Sequence, residues 1–254
     1  KEYNFLNYTN IISKKYTPQI ISKNEKTKSI FMSYLPGKII KTVNKKKLTK
    51  AISFIKLINS NNLNSYSHEI DFATDSCKSL KDHIKLVEKK LKLFHQIKNN
   101  NQLNPKLKNF IKKIDKKLNE CKINIFKKFT KKEILTKYKS NYYIVSPSDF
   151  NFNNMNEYKN KLYFYDFEYS GHDDPLKLLL DFCCQPDLTI TENHKKFFLK
   201  EYIRQLDLDK KINVYYEYFY NINVLKWCLI LLNSFLKIDK IYKKNNKVLN
   251  NSYL

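Results

Sequence analysis

Only two glycines, Gly37 and Gly171, serve a chain of 254 residues. Glycine takes left-handed or crowded backbone at the least cost. A chain that otherwise avoids it keeps its two copies where backbone geometry demands them. The same scarcity excludes whole classes of fold. No segment can be a Gly-rich loop that wraps a phosphate with backbone amides, as P-loop and dinucleotide-binding motifs require.

Most of the remaining pattern is helical. Residues 1–12 put apolar side chains at 3, 5, 6 and 8, which fits a short helix, and residues 45–60 repeat the pattern. A stronger helix spans about Leu80 to Ile97, with apolar positions 80, 84, 87, 91 and 94 on one face. Ser79 and Asp82 form a weak capping box at its start. Another runs from about Leu107 to Phe129, apolar at 107, 110, 111, 114 and 118, with lysines on a solvated face. Its heptads are not sustained, which argues against a coiled coil. Leu176 to Cys184, Thr191 to Gln205 and Asn213 to Lys237 read as further helices, the last apolar nearly all round and so placed in a core. Asn61 to Ser67 and residues 98–108 read as loops, and the tail from Lys240 as frayed. His83 and His95 lie twelve apart on one helix, too far for one metal site, and read as surface or boundary residues.

Strands are fewer. Pro18 to Ile21 and Ser29 to Ser33 flank a polar turn, and Tyr142 to Val145 and Leu162 to Tyr165 are short β-branched and aromatic runs. The chain is therefore a mixed α+β protein.

The formal net charge is +24, which ordinarily points to nucleic acid or an anionic surface. Arg204 is the only arginine, however, and nucleic-acid readers rely on arginine for bidentate and stacking contacts. The lysines read as spread along a chain rich in Asn, Ile and Tyr, the mark of compositional bias. That argues against a nucleic-acid partner. The five cysteines are an odd number without metal-ligand spacing, and read as reduced thiols of a cytoplasmic protein. No apolar run reaches the ~18 residues of a membrane span, and no signal-peptide pattern is present.

The chemistry concentrates between residues 145 and 168. Asp149 is followed by Asn154 five residues later and by Asp166 twelve residues after that. The two strand runs place all three at strand ends or in the intervening loop. Asp149 can orient a hydroxyl nucleophile, and Asn154 and Asp166 can hold Mg²⁺ against a nucleotide phosphate. Phosphoryl transfer needs this set, because the protein's task is to position groups and neutralise charge. Ser146 and Ser148 lack the base and orienting partner of a covalent mechanism. Asp181, set among Leu, Phe and Cys, needs a partner.

Asp149-x-x-x-x-Asn154 with Asp166-Phe-Glu168 resembles the catalytic loop and metal-binding turn of the aminoglycoside phosphotransferase and choline kinase family, a branch of the protein-kinase-like fold. Tyr169 to Pro175 and Asp181-Phe182 resemble the stretch that follows. The family's usual His-Gly-Asp is Pro147-Ser148-Asp149 here, and the usual Gly before the Asn is Asn153. Ser-Pro-Ser-Asp-Phe and Asp-Phe-Glu-Tyr resemble a bacterial subgroup. The resemblance covers residues 140–185 well and 1–40 loosely.

The resemblance implies a mostly helical C-lobe with a small β catalytic segment and a partial β N-lobe. Residues 1–36 would form the partial N-lobe and hinge, and 37–254 the C-lobe. It implies ATP and Mg²⁺ as cofactors and a hydroxylated small molecule (a sugar, amino alcohol or cyclitol) as acceptor. Asp149 would be catalytic, and Asn154 and Asp166 the metal ligands. Met32, Ser33 and Leu35 would line the adenine site at the hinge, and Glu2 would serve the nucleotide phosphates through a strand lysine. Asp174 would fix the turn after the metal site, and Asp181 would support the catalytic loop. The first strands and that lysine would lie before Lys1, so the chain is expected to be a fragment of a longer protein. Two other readings stand beside this one: a non-catalytic pseudokinase-like binding domain, and a Lys-rich polyanion-binding protein.

Overall fold

A computed structural model describes residues 1–60, 69–98, 105–186, 188 and 190–236. The loop expected over Asn61 to Ser67 and the tail from Lys240 lie outside the described residues. The chain forms two compact units. One holds Lys1–Lys78 and Lys137–Glu217, the other Ser79–Thr136 and Tyr218–Leu254.

The first unit opens with helix α1 (Glu2–Ile12), which buries Phe5, Leu6, Tyr8 and Thr9. Strands β1 (Ile20–Asn24) and β2 (Ser29–Met32) pair antiparallel, with an irregularity between Ile20 and Ser22. β3 (Lys38–Ile39) joins β5 (Met155–Tyr158) and β6 (Lys161–Phe164) in an antiparallel sheet of order β3-β5-β6. β4 (Ile144–Ser146) pairs instead with β7 (Gly171–Asp173). The two strand runs around the catalytic stretch therefore belong to different sheets. β5 and β7 carry no clear alternation, and the sequence pattern did not reveal them.

Helix α2 (Lys45–Ile58) starts on an Asn44 cap and buries Leu48, Ala51, Ile52, Phe54, Ile55 and Ile58. Its C-cap Asn59 reaches β4: Oδ1 accepts from the Val145 amide at 2.7 Å and Nδ2 donates to the Val145 carbonyl at 2.9 Å. Phe54 stacks on Phe164 with ring centroids 3.9 Å apart. Helices α6 (Pro175–Cys184) and α7 (Glu192–Gln205) extend this aromatic core, Phe182 stacking on Phe198 at 4.0 Å. Asp174 caps α6 by accepting from the Leu176 amide, in keeping with its expected role at that turn.

In the second unit, α3 (Leu80–Lys98) packs against α4 (Pro105–Lys128), and short α5 (Lys131–Leu135) begins on a complete capping box of Thr130 and Glu133. Leu80, Ile84, Val87, Leu91 and Phe94 are buried as their period required, whereas Phe110 is exposed. α4 begins at Pro105 itself, a good first helical residue because its missing N–H needs no partner there. His83 is a correction: it is buried against Phe219, rings 5.5 Å apart. His95 instead bonds Asp115 at 3.0 Å. Helix α8 (Lys211–Leu231) begins in the first unit and continues in the second.

The candidate phosphoryl-transfer site

All the expected site residues lie in the first unit. β4 ends at Ser146, and the chain then turns through Pro147 and Ser148. Ser148 has φ +66, and the Asp149 amide donates to the Pro147 carbonyl at 3.0 Å, a γ-turn of the positive-φ kind. Ser146 Oγ accepts from the Ser148 amide at 3.0 Å. The usual pattern has Gly at Ser148's position, and the left-handed backbone explains why. Asn153, which also stands where the pattern has Gly, is not among the residues with positive φ, so its place does not need Gly.

Asp149 and Asn154 come together. Asn154 Nδ2 donates to Asp149 Oδ2 at 3.1 Å and to the Asp149 carbonyl at 2.9 Å. The loop is tied by a residue that the sequence reading missed. Buried Asn151 donates from Nδ2 to Asp149 Oδ1 at 2.8 Å, and its Oδ1 accepts from the amides of Asn153 and Asn154. The available signal was an Asn two residues after the Asp, the spacing of a local side-chain turn. Phe150 and Phe152 anchor the loop below, each packing on Phe182 with centroids 5.5 and 5.4 Å away.

Asp166 follows β6 at φ +65. Its carboxyl is held above its ordinary value, by partial desolvation first and then by the negative charges of Glu168 and Asp149. Asp149 and Asp166 are thus close enough to feel one another. Phe167, next in the chain, is buried and packs tilted against Phe5 of α1, ring centroids 4.5 Å apart. Its amide donates to Glu2 Oε1 at 3.4 Å, which brings Glu2 to the turn that carries Asp166.

Two further supports surround this turn. A Cβ on Gly171, whose φ is +153, would run into the backbone of Asp71, Phe72 and Ala73. The 71–76 segment packs along the turn: the Thr74 amide donates to the Tyr169 carbonyl and the Ala73 amide to the His172 carbonyl, both at 3.0 Å. Beneath it, buried Lys177 bridges Asp173 at 2.9 Å and Asp181 at 3.3 Å, which gives Asp181 the partner it needed.

Met32, Ser33 and Leu35 lie apart from that loop in sequence, where β2 ends. Met32 is partly exposed, and Ser33 bonds back to Gln19 through its amide and hydroxyl at 2.9 Å each. Gly37 follows at φ +105, close against the Glu157 carbonyl, a turn that a Cβ would obstruct.

No protein-family model and no curated protein matches the sequence. Solved structures do match, and they define a class: the fold is the protein-kinase-like fold of aminoglycoside phosphotransferases and choline/ethanolamine kinases. Among them is the spectinomycin phosphotransferase APH(9)-Ia in an AMP-bound complex, with TM-score 0.58, 14% identity, and coverage of 96% of this chain and 79% of that one. The Plasmodium vivax ethanolamine kinase gives 0.57 and 15%, covering 100% and 71%. APH(2'')-IIa in complex with gentamicin gives 0.57 and 19%, covering 97% and 78%. The likeness is one of fold.

Proposed function

We propose that this chain belongs to an ATP-dependent O-phosphotransferase that acts on a hydroxyl of a small metabolite such as a sugar, amino alcohol or cyclitol. The observation that carries the reading is the Asp149–Asn154 hydrogen bond, together with an Asp166 carboxyl raised by partial desolvation and by the charges of Glu168 and Asp149. Asp166 has no hydrogen-bond or ion-pair partner among the described residues. A carboxylate left in that state, with an amide oxygen nearby, suits a hard divalent cation. Asn154 spends its Nδ2 on Asp149, so Oδ1 is the atom left for a metal. Asn154 and Asp166 would hold Mg²⁺, which when bound neutralises phosphate charge.

Asp149 then does the protein's own chemistry. Asn151 and Asn154 fix its carboxylate, which takes the hydrogen bond of the acceptor hydroxyl and receives its proton. The acceptor oxygen forms the new O–P bond as the bond from the terminal phosphorus to ADP breaks. At the hinge, the Ser33 carbonyl and Leu35 amide, with no bonding partner among the described residues, would face adenine, with Met32 behind. Glu2 steadies the metal turn through the Phe167 amide. We keep residues 1–36 as N-lobe and hinge and 37–254 as the C-lobe. Five free thiols suit a cytoplasmic location.

The test is calorimetric titration with ATP and Mg²⁺, followed by a screen of hydroxylated acceptors for ADP release. Saturable, Mg²⁺-dependent binding that Asp166→Asn abolishes, with turnover that Asp149→Asn reduces by about 10²–10⁴-fold, is the expected result. Nucleotide binding without turnover on any acceptor would favour the pseudokinase-like reading. No binding at all would remove the nucleotide site as placed.

A further inference from the structure

The lysines are not evenly spread, contrary to the reading from composition. Residues 79–136 hold 17 Lys, no Arg and 5 Asp or Glu, a net +12, half of the chain's +24. Residues 137–236, which carry the site motifs, hold 12 Lys or Arg against 13 Asp or Glu. A bias acting equally along the chain does not produce that division.

The five carboxylates of residues 79–136 are engaged within the second unit. Asp82 binds Ser79 and Lys85, Glu88 binds Lys122, Asp115 binds His95, Glu120 binds Lys117, and Glu133 closes the Thr130 capping box. Two of these pairs fix how α3 and α4 lie together. Glu88–Lys122 at 2.6 Å and His95–Asp115 at 3.0 Å join the helices antiparallel along one flank. Beyond that flank, at 100° per residue, the solvent sides of the two helices continue into a single face.

On α3 this face holds Lys81, Lys85, Lys89 and Lys92, all exposed, in a row at i, i+4, i+8 and i+11 about 16 Å long. On α4 it holds exposed Lys116 together with Ile123 and Phe126, which leave 54% and 50% of their surface in water. The antiparallel register set by those two pairs places Phe126 level with residue 84 and Ile123 level with residue 87, beside Lys85 and Lys89. Lys85 is paired with Asp82, but the row as a whole is one of like charge at i, i+4 spacing, and an anionic partner is complementary to it.

We propose that this α3–α4 face docks on the surface of a bilayer containing anionic lipid. Three features favour lipid over nucleic acid. Lysine supplies point charge without the planar fork that reads phosphate and base edges. No arginine lies in the segment. Two large apolar side chains sit within the basic field, where they can enter the headgroup layer while each lysine adds electrostatic attraction.

The test is co-sedimentation of the whole chain with phosphatidylcholine vesicles, with and without about one third phosphatidylserine. Two variants accompany it: Lys81, Lys85, Lys89 and Lys92 all changed to Gln, and Ile123→Ser with Phe126→Ser. Circular dichroism melts establish that both fold. The expected result is binding only to the phosphatidylserine vesicles, weakened at least about tenfold by the lysine variant and measurably by the apolar one. Absence of vesicle binding, or binding that the lysine variant leaves unchanged, would overturn the proposal. So would tight binding of a single-stranded oligonucleotide with none to vesicles, since the face would then be a nucleic-acid surface. ATP titration is unaffected by either variant if the face is independent of the nucleotide site.

Discussion

Asp166 bears two local penalties together, a left-handed backbone and a carboxylate that is partly desolvated and has like-charged neighbours. Penalties concentrated on one residue are what the proposed metal site would relieve on binding its cation. The charge part has a definite sign. A carboxyl whose value is raised on folding opposes folding once it ionises, so stability falls as pH rises from its unfolded value through its higher folded one. Asp166→Asn removes that loss and tolerates the same positive φ. The variant is expected to be more stable than the parent at pH 7 by up to about 1 kcal/mol, the scale of an exposed charge pair. The gain should vanish in acid, where both carry a neutral side chain. Urea titrations across the acid-to-neutral range measure this, and identical midpoints throughout would mean that neither the partial desolvation nor the charges of Glu168 and Asp149 are felt at Asp166. Asp149, Asn154 and Asp166 stood out in the sequence because the proposed phosphoryl transfer would restrict residue type and spacing together, and the structure joins the first two by a hydrogen bond. Asn59 and Asn151 were not, since an amide acquires its meaning from the backbone that the fold brings to it.

Long helices were legible for the same reason that they fold: a 3.6-residue period that buries one stripe leaves a mark over many turns. Strands of two to four residues leave almost none. Glycine scarcity hid them further, because the turn between β5 and β6 uses Lys159 and Asn160, both at positive φ, where Asn-Gly would have announced a hairpin. Helix α6 shows the opposite case. Asp181 among apolar residues called for a partner, and Lys177 stands one helical turn before it. Burial alone would lower the Lys177 ammonium's value, but the carboxylates of Asp173 and Asp181 more than offset that and raise it. Asp173 also accepts from the amides of Cys77 and Asp174, so the ion pair ties α6 to β7 and to the chain before α3. Lys177→Met fits the space and strands buried carboxylates without their cation. Its expected cost is about 3–5 kcal/mol, read by chemical denaturation. Adding Asp181→Asn should restore part of it, and failure of the double variant to recover anything would assign the loss to packing instead.

Over the whole molecule, charge is the term that composition makes largest. A net +24 opposes any compact state by self-repulsion. With 24 carboxylates against 48 basic residues, half of the positive charge has no carboxylate to balance it. The single Trp, Trp227, lies on α8 within the second unit, which also contains the +12 segment, so its fluorescence reports that unit's unfolding. Raising ionic strength from about 20 to about 200 mM shortens the screening length from roughly 20 Å to below 10 Å, less than the length of the α3 lysine row. The Trp227 midpoint should therefore rise with salt, by about 2–4 °C for each kcal/mol of repulsion relieved. Sodium sulfate and sodium chloride at equal ionic strength separate screening from general salting-out, since screening alone predicts equal shifts. A midpoint that stays flat in both salts would mean that the lysines of α3 and α4 are already far enough apart in water for their repulsion to be spent. The basic face would then be a surface feature without a folding cost, and its attraction for an anionic bilayer would have to come from contact alone.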